Sequence, residues 1–101
     1  MNSNDVLNAV RVVHKYRDDN LYCVLTFDDD GNPYAVQLSV SGEVINQDQR
    51  TLSNIDALAR MTTLAIRTFE LDYVIVNLLQ CSRGPNDLAC ILAGVLLDHG
   101  K

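Results

Sequence analysis

The sequence is short of positive charge. Eight Lys and Arg residues stand against thirteen Asp and Glu, which gives a formal net charge of −5 and a pI near 4.6. A protein of this charge repels phosphate backbones through its long-range field. Binding to nucleic acid is therefore electrostatically unfavourable, and DNA is not an expected partner.

Long apolar runs and paired cysteines are also missing. The longest runs, such as residues 91–97, fall well short of the roughly 20 residues that a membrane span needs, so we expect no membrane partner. The first residues lack the basic and apolar regions of a secretory signal. Three cysteines are an odd number set among apolar residues, which is typical of reduced thiols in a cytoplasmic or nuclear protein.

Groups suited to catalysis or to a metal are sparse. Cys81, Cys90 and His99 lack the close paired spacing of a structural zinc site. Three aspartates at residues 28–30 resemble the start of a calcium loop, but the alternating ligands and the distant Glu of an EF-hand are absent. The glycines are isolated rather than grouped in a phosphate-binding loop. We therefore predict a protein without enzymatic activity, metal or other cofactor.

The hydrophobic pattern predicts one α+β domain with the order α-β-β-β-α-β-α. Steps of three and four predict helices and β-branched or alternating runs predict strands. The predicted helices cover residues 4–17, 53–69 and 88–97, and the predicted strands cover residues 21–27, 34–40, 43–46 and 71–79. Residues 88–97 are also short and apolar enough for a strand, and helix is the favoured interpretation.

One family resemblance emerges when three segments are read together. Residues 34–45 (YAVQLSVSGEVI), 53–57 (SNIDA) and 64–66 (LAI) resemble the hairpin and second helix of a double-stranded-RNA-binding domain. The resemblance implies an α-β-β-β-α core over residues 1–70, with an antiparallel sheet backed by helices. Residues 71–101 then form a strand–helix extension packed on the same domain.

The resemblance also implies that the usual contacts to RNA have been lost. Domains of this family grip an A-form duplex through three regions that reach its minor grooves and phosphates. The matching positions here are uncharged: Ala9, Asn32, Asn54, Ile55 and Leu58. We expect a degenerate, non-catalytic member with weak or no RNA binding, which acts in protein–protein interaction or dimerisation within RNA silencing or RNA processing.

The C-terminal third gives a physical reason for the same expectation. Residues 73–79 are too apolar to remain solvated as a strand, so they pair either inside the chain or with a protein partner, including a second copy. The sequence leaves core and interface equally open. The candidate interaction residues are Ile55, Leu58, Tyr73, Ile75, Leu88 and Leu92.

Three other functions remain open at this point. The first is genuine binding of double-stranded RNA. The second is a roadblock- or longin-type scaffold for small GTPases, which residues 5–70 resemble in outline. The third is a metal-free relative of JAB-type proteases, which the predicted strand at residues 74–76 before a Gly-Pro loop resembles. Residues 77–79 (Asn-Leu-Leu) stand where that family has its His-x-His ligand pair, so the metal chemistry would be absent.

Overall fold

A computed structural model describes residues 8–42 and 48–100 of the chain. The described residues form a small α+β fold with three antiparallel strands followed by three helices. The elements are β1 (Ala9–Tyr16), β2 (Asp19–Phe27), β3 (Pro33–Ser41), α1 (Gln49–Thr68), α2 (Leu71–Cys81) and α3 (Leu88–His99). Within these residues no helix combines the length and the hydrophobicity needed to cross a membrane.

The hairpin of β2 and β3 confirms the prediction for this part of the sequence. Its turn is closed by the Asp28 carboxylate, which accepts hydrogen bonds from the backbone N–H groups of Asp30 and Asn32, each at 2.9 Å. Gly31 follows with φ of 82°, a conformation that glycine adopts without steric cost. An aspartate and a glycine in this order are therefore sufficient to reverse the chain.

The predicted helix over residues 4–17 is wrong where the structure describes it, because Ala9–Tyr16 is strand β1. Residues 4–7 of that prediction lie outside the described residues. In β1, Val10 and Val12 face the helices while Arg11 and Lys15 face solvent, so the same apolar positions also satisfy an alternation with a period of two. Pairing with β2 stabilises the β-branched segment as a strand.

The predicted strand over residues 71–79 is also wrong, because this segment is helix α2. Its β-branched residues favour a strand locally. Packing overrides that preference, since Val74, Ile75 and Leu78 lie on one side of the helix and are buried together. The predicted strand over residues 43–46 lies outside the described residues. The observed order is therefore β-β-β-α-α-α rather than α-β-β-β-α-β-α.

The two remaining helices agree with the sequence more closely. Helix α1 begins after Asp48, whose carboxylate accepts a hydrogen bond from the Thr51 N–H at 3.2 Å, four residues before the predicted start. Helix α3 covers the predicted residues 88–97 and is the most buried element. One face of the sheet packs on α3, and α2 packs on α3. Leu25 and Leu96 are fully buried in the core cluster that these elements share.

Helix α1 lies along the outer edge of β3. The Thr63 hydroxyl accepts a hydrogen bond from the Val36 N–H at 2.9 Å and lies 3.2 Å from the Val36 carbonyl oxygen. Nearby, the Arg67 Nε donates to the Tyr34 carbonyl at 2.7 Å. These contacts satisfy backbone groups that an edge strand otherwise leaves to solvent or to a foreign strand. One edge of the sheet is thus closed by the chain itself.

Replacement of Thr63 by Val should measure the strength of this edge contact. The variant keeps the shape of the side chain but leaves the part-buried N–H of Val36 without its acceptor, which costs about 1–3 kcal/mol. Thr68→Val is the matched control, because its exposed hydroxyl bonds only within α1, to the Leu64 carbonyl. Urea unfolding should show a loss for Thr63→Val that exceeds the loss for Thr68→Val; equal losses would contradict this role.

Candidate functional site

The most apolar opening on the described surface is a groove between α1 and α2. It has a volume of about 280 Å³ and none of its lining side chains is charged. Residues from both helices and from the link between them form its walls: Leu58, Met61, Thr62, Ala65, Phe69, Tyr73, Val74, Asn77, Leu78 and Cys81. We refer to these ten residues as the α1–α2 groove.

The short link between the two helices sets the shape of one end of this groove. Helix α1 ends at Thr68 and is capped by Phe69, whose N–H donates to the Ala65 carbonyl at 2.8 Å; α2 begins two residues after Phe69. The rings of Phe69 and Tyr73 stand beside each other, with centroids 5.6 Å apart and planes inclined by 48°. Tilted pairs of this kind are favourable for aromatic rings, so the two rings form a defined aromatic corner.

Large hydrophobic side chains are concentrated around the groove. Nine of them are exposed among the described residues, and six of the nine belong to α1, the link or α2. The six are Met61, Leu64, Phe69, Tyr73, Val76 and Leu79. Three of them, Met61, Phe69 and Tyr73, line the groove itself, and exposed apolar side chains grouped at one site are typical of a protein-interaction site. We refer to the six residues as the apolar surface.

The charged residues of α1 lie away from the groove. Arg60 donates to Asp56 at 2.9 Å, and both line the surface beside β3. Arg67 lies over the ring of Tyr34, with its guanidinium carbon 3.8 Å from the ring centroid. These charges of α1 can therefore stay in water when a partner covers the groove, which avoids the main cost of covering a charged surface. The nearest charge at the aromatic corner is exposed Glu70, which shares a shallow opening with Phe69 and Tyr73.

The structure separates the predicted interaction residues into two groups. Ile55, Ile75, Leu88 and Leu92 are buried inside the chain. Leu58 is half-buried and Tyr73 is exposed, and both line the α1–α2 groove. Of the six candidates, these two are placed together on an accessible site.

The positions matched to RNA contacts do not converge. Ala9 and Asn32 are exposed at one end of the sheet, where β1 begins and the turn before β3 lies. Asn54 is exposed in the first half of α1, about 20 Å along the helix from Arg67, which contacts β3 near that turn. The remaining two positions are the buried Ile55 and the groove residue Leu58.

Sequence reasoning missed Met61 and Val76. Within the predicted helix over residues 53–69, the spacing of Ile55, Leu58, Thr62, Ala65, Ile66 and Phe69 predicts one buried stripe, which is wrong for Phe69. The spacing of Phe69 continues the apolar stripe of α1, but this residue comes after the last residue of the helix and is exposed. The sequence of α1 does contain an indication of the groove. Leu58, Met61 and Ala65 are uncharged and are spaced three and four residues apart, which places them on one side of the helix.

The thiols of the chain differ in their surroundings. Cys81 is exposed at the groove, whereas Cys23 is buried in the core. Burial disfavours the thiolate and raises the pKa of the Cys23 thiol to about 11. A neutral, inaccessible thiol has little nucleophilic character. Cys23 therefore acts as a small apolar side chain of the core.

In the described ranges, 8–42 and 48–100, no group of three His, Cys, Asp or Glu residues is placed to hold a metal ion. Comparisons of the chain with protein-family models, with curated proteins and with solved structures find no match.

Proposed function

We propose that this chain is a non-catalytic protein-binding domain that associates with a second copy of itself through the α1–α2 groove. The uncharged groove and the apolar surface around it carry this proposal. Association removes these side chains from water, and each Å² of apolar area that is buried contributes roughly 25 cal/mol. The proposal rests on the groove rather than on the resemblance to double-stranded-RNA-binding domains, because β1 stands where that family has its first helix.

A second copy fits this site because the cavity and the protruding side chains occur on the same surface. In a two-fold contact the same patch of each copy meets itself, so it has to supply both the recess and the group that fills it. The groove supplies the recess, and exposed Met61 and Tyr73 at its rim supply the groups. The chain has a net charge of −5, but the groove contributes no charge to the repulsion between two copies.

RNA binding is expected to be weak or absent. The groove offers no cation to phosphate, and the positions matched to RNA contacts carry no positive charge. A gel-shift titration with a double-stranded RNA at two salt concentrations measures this directly. Tight binding that weakens steeply as salt rises would favour the RNA-binding alternative over the proposed function.

Met61→Glu is the substitution that tests self-association. Met61 is 63% exposed at the groove, so a carboxylate there leaves the fold intact but places two charges in the interface of a dimer. Light scattering from low to high micromolar concentration should show a dimer for the wild type and a monomer for Met61→Glu. Leu97→Glu is the control, because Leu97 is similarly exposed but lies on α3, and its dimer should persist.

The exposed thiol of Cys81 provides a second measurement on the unmodified protein. Because this residue lines the groove, its alkylation by iodoacetamide should slow as the protein concentration rises and copies cover it. A wild type that is monomeric throughout the concentration range would overturn the proposed function. Equal loss of the dimer in Met61→Glu and Leu97→Glu would assign the interface to another surface.

A further inference from the structure

We propose that the outer edge of β1 binds an extended peptide with alternating acidic and apolar residues, which adds a fourth strand to the sheet. This site lies on the opposite edge of the sheet from α1 and does not depend on the α1–α2 groove. Three independent features support it: a backbone edge without a partner in the described residues, a row of cations, and a cleft beside that edge.

The hydrogen-bonding phase of β1 shows which backbone groups are available. The Phe27 N–H donates to the Asn8 carbonyl at 2.8 Å, so Asn8 and every second residue after it face β2. The intervening residues, Ala9, Arg11, Val13 and Lys15, turn their N–H and C=O groups outward. Among the described residues β1 has no neighbour on that side, whereas α1 covers the corresponding edge of β3.

Two side chains of this edge, Arg11 and Lys15, are cationic although the protein is acidic. Strand β1 contains Arg11, His14 and Lys15 and no Asp or Glu, in a chain with thirteen acidic residues. Arg11 and Lys15 lie on the same, solvent-facing side of the sheet, about 13 Å apart along the strand. The ring of Tyr22 lies under the Arg11 guanidinium at 4.5 Å from its centroid, which favours a fixed position for this charge.

The other side of the edge opens into a cleft between β1 and α3. The cleft has a volume of about 220 Å³ and a mixed lining. Val12, Ile91, Gly94 and Val95 form its apolar part, and polar residues that include His14, Lys15, Asp98 and His99 form the rest. A Cβ atom added at Gly94 would meet no other atom within 4 Å. Successive side chains of a strand point to opposite faces, so an added strand would place one set beside Arg11 and Lys15 and the other set toward this cleft.

An acidic peptide fits this edge better than a second copy of the chain does. Two β1 strands paired antiparallel about Val13 would place Arg11 of one copy opposite Lys15 of the other. Like charges in directly opposed positions destabilise a strand pair. Carboxylates in those positions instead form favourable cross-strand pairs, and the peptide backbone continues the hydrogen-bond ladder.

Fluorescence anisotropy with defined peptides tests this site on the whole chain. The probe is a labelled nine-residue peptide of alternating Glu and Val, and the control peptides are the Lys–Val analogue and a Glu–Val peptide N-methylated at every residue, which has no backbone N–H to donate from either edge. We expect saturable binding of the Glu–Val peptide only. Arg11→Glu/Lys15→Glu should weaken this binding about tenfold or more, since two cross-strand charge pairs become repulsive.

Two further variants distinguish the effect of the net charge of the protein from the effect of the shape of the binding site. Arg50→Glu/Arg60→Glu changes the net charge by the same amount on exposed positions of α1 and should leave binding nearly unchanged. Gly94→Leu fills the cleft without meeting another atom at its Cβ and should weaken binding severalfold in a folded protein. The proposal is overturned if the Lys–Val or N-methylated peptide binds equally well, if Arg11→Glu/Lys15→Glu binds normally, or if no peptide binds while a labelled single-stranded oligonucleotide does.

Discussion

The Ile75→Asp variant should fail to fold at neutral pH. Ile75 is 5% exposed and packs in the main core cluster with Val74, Leu78 and Leu92. Aspartate at this position would have to bury an ionised carboxylate without a partner, or leave α2 detached from α3. Either outcome costs several kcal/mol, which is a large part of the 5–15 kcal/mol that stabilises a typical domain.

The neighbouring residue provides a matched control for this prediction. Val76 is 49% exposed on the same helix, so Val76→Asp introduces the same charge at a position that the monomer does not bury. At a concentration low enough for the protein to be monomeric, it should change stability by no more than about 0.5 kcal/mol. Circular dichroism should show helix and strand signals for Val76→Asp and their loss for Ile75→Asp. A folded, monomeric Ile75→Asp protein would instead show that Ile75 lies in an interface between copies.

This pair of substitutions also decides a question that the sequence leaves open. The apolar run over residues 71–79 indicates burial, and burial is what the structure shows for Val74, Ile75 and Leu78. Its β-branched composition indicates a strand, and in this respect the prediction was wrong. Hydrophobicity reports whether a segment is buried, whereas its conformation depends on the elements that it packs against.

The same distinction explains which parts of the fold could be predicted. The β2–β3 hairpin carries its own turn chemistry in Asp28 and Gly31, so local signals were sufficient there. In α3 the helical spacing of the apolar residues only favoured the observed helix over a strand. Strand β1 has no such signal, because Val10 and Val13 fit a helix while Val10 and Val12 fit a strand. Pairing with β2 decides between these two periods. The residues of β1 alone do not reveal that pairing, although β2 follows closely in the chain.

The candidate site was predictable only in part for a related reason. Leu58 and Tyr73 could be selected as apolar residues with an uncertain role, but only the divergence of α1 and α2 places them on one groove. Phe69 was assigned to the core because its spacing continues the stripe of α1. Whether a residue at the end of a stripe is covered depends on where the next helix runs, and a periodic pattern carries no information about that direction.

The Leu96→Ala variant should be strongly destabilised, and the adjacent Leu97→Ala variant should be nearly neutral. Leu96 is fully buried in the core cluster between the sheet and α2, whereas Leu97 is 51% exposed on the same turn of α3. Truncation of a fully buried leucine removes its transfer energy and leaves a cavity, which together cost about 3–5 kcal/mol. Alanine at Leu97 removes only part of an exposed side chain, in a helix that alanine favours.

Chemical denaturation of both variants measures this contrast directly. The midpoint in urea should fall for Leu96→Ala with little change in the dependence on denaturant, because the surface exposed on unfolding is nearly the same. The two substitutions delete the same atoms from adjacent positions of one helix, so helix propensity and the unfolded chain contribute almost equally to both. Equal midpoints for the two variants would therefore mean that α3 does not pack with Leu96 toward the sheet, and the placement of the core would be wrong.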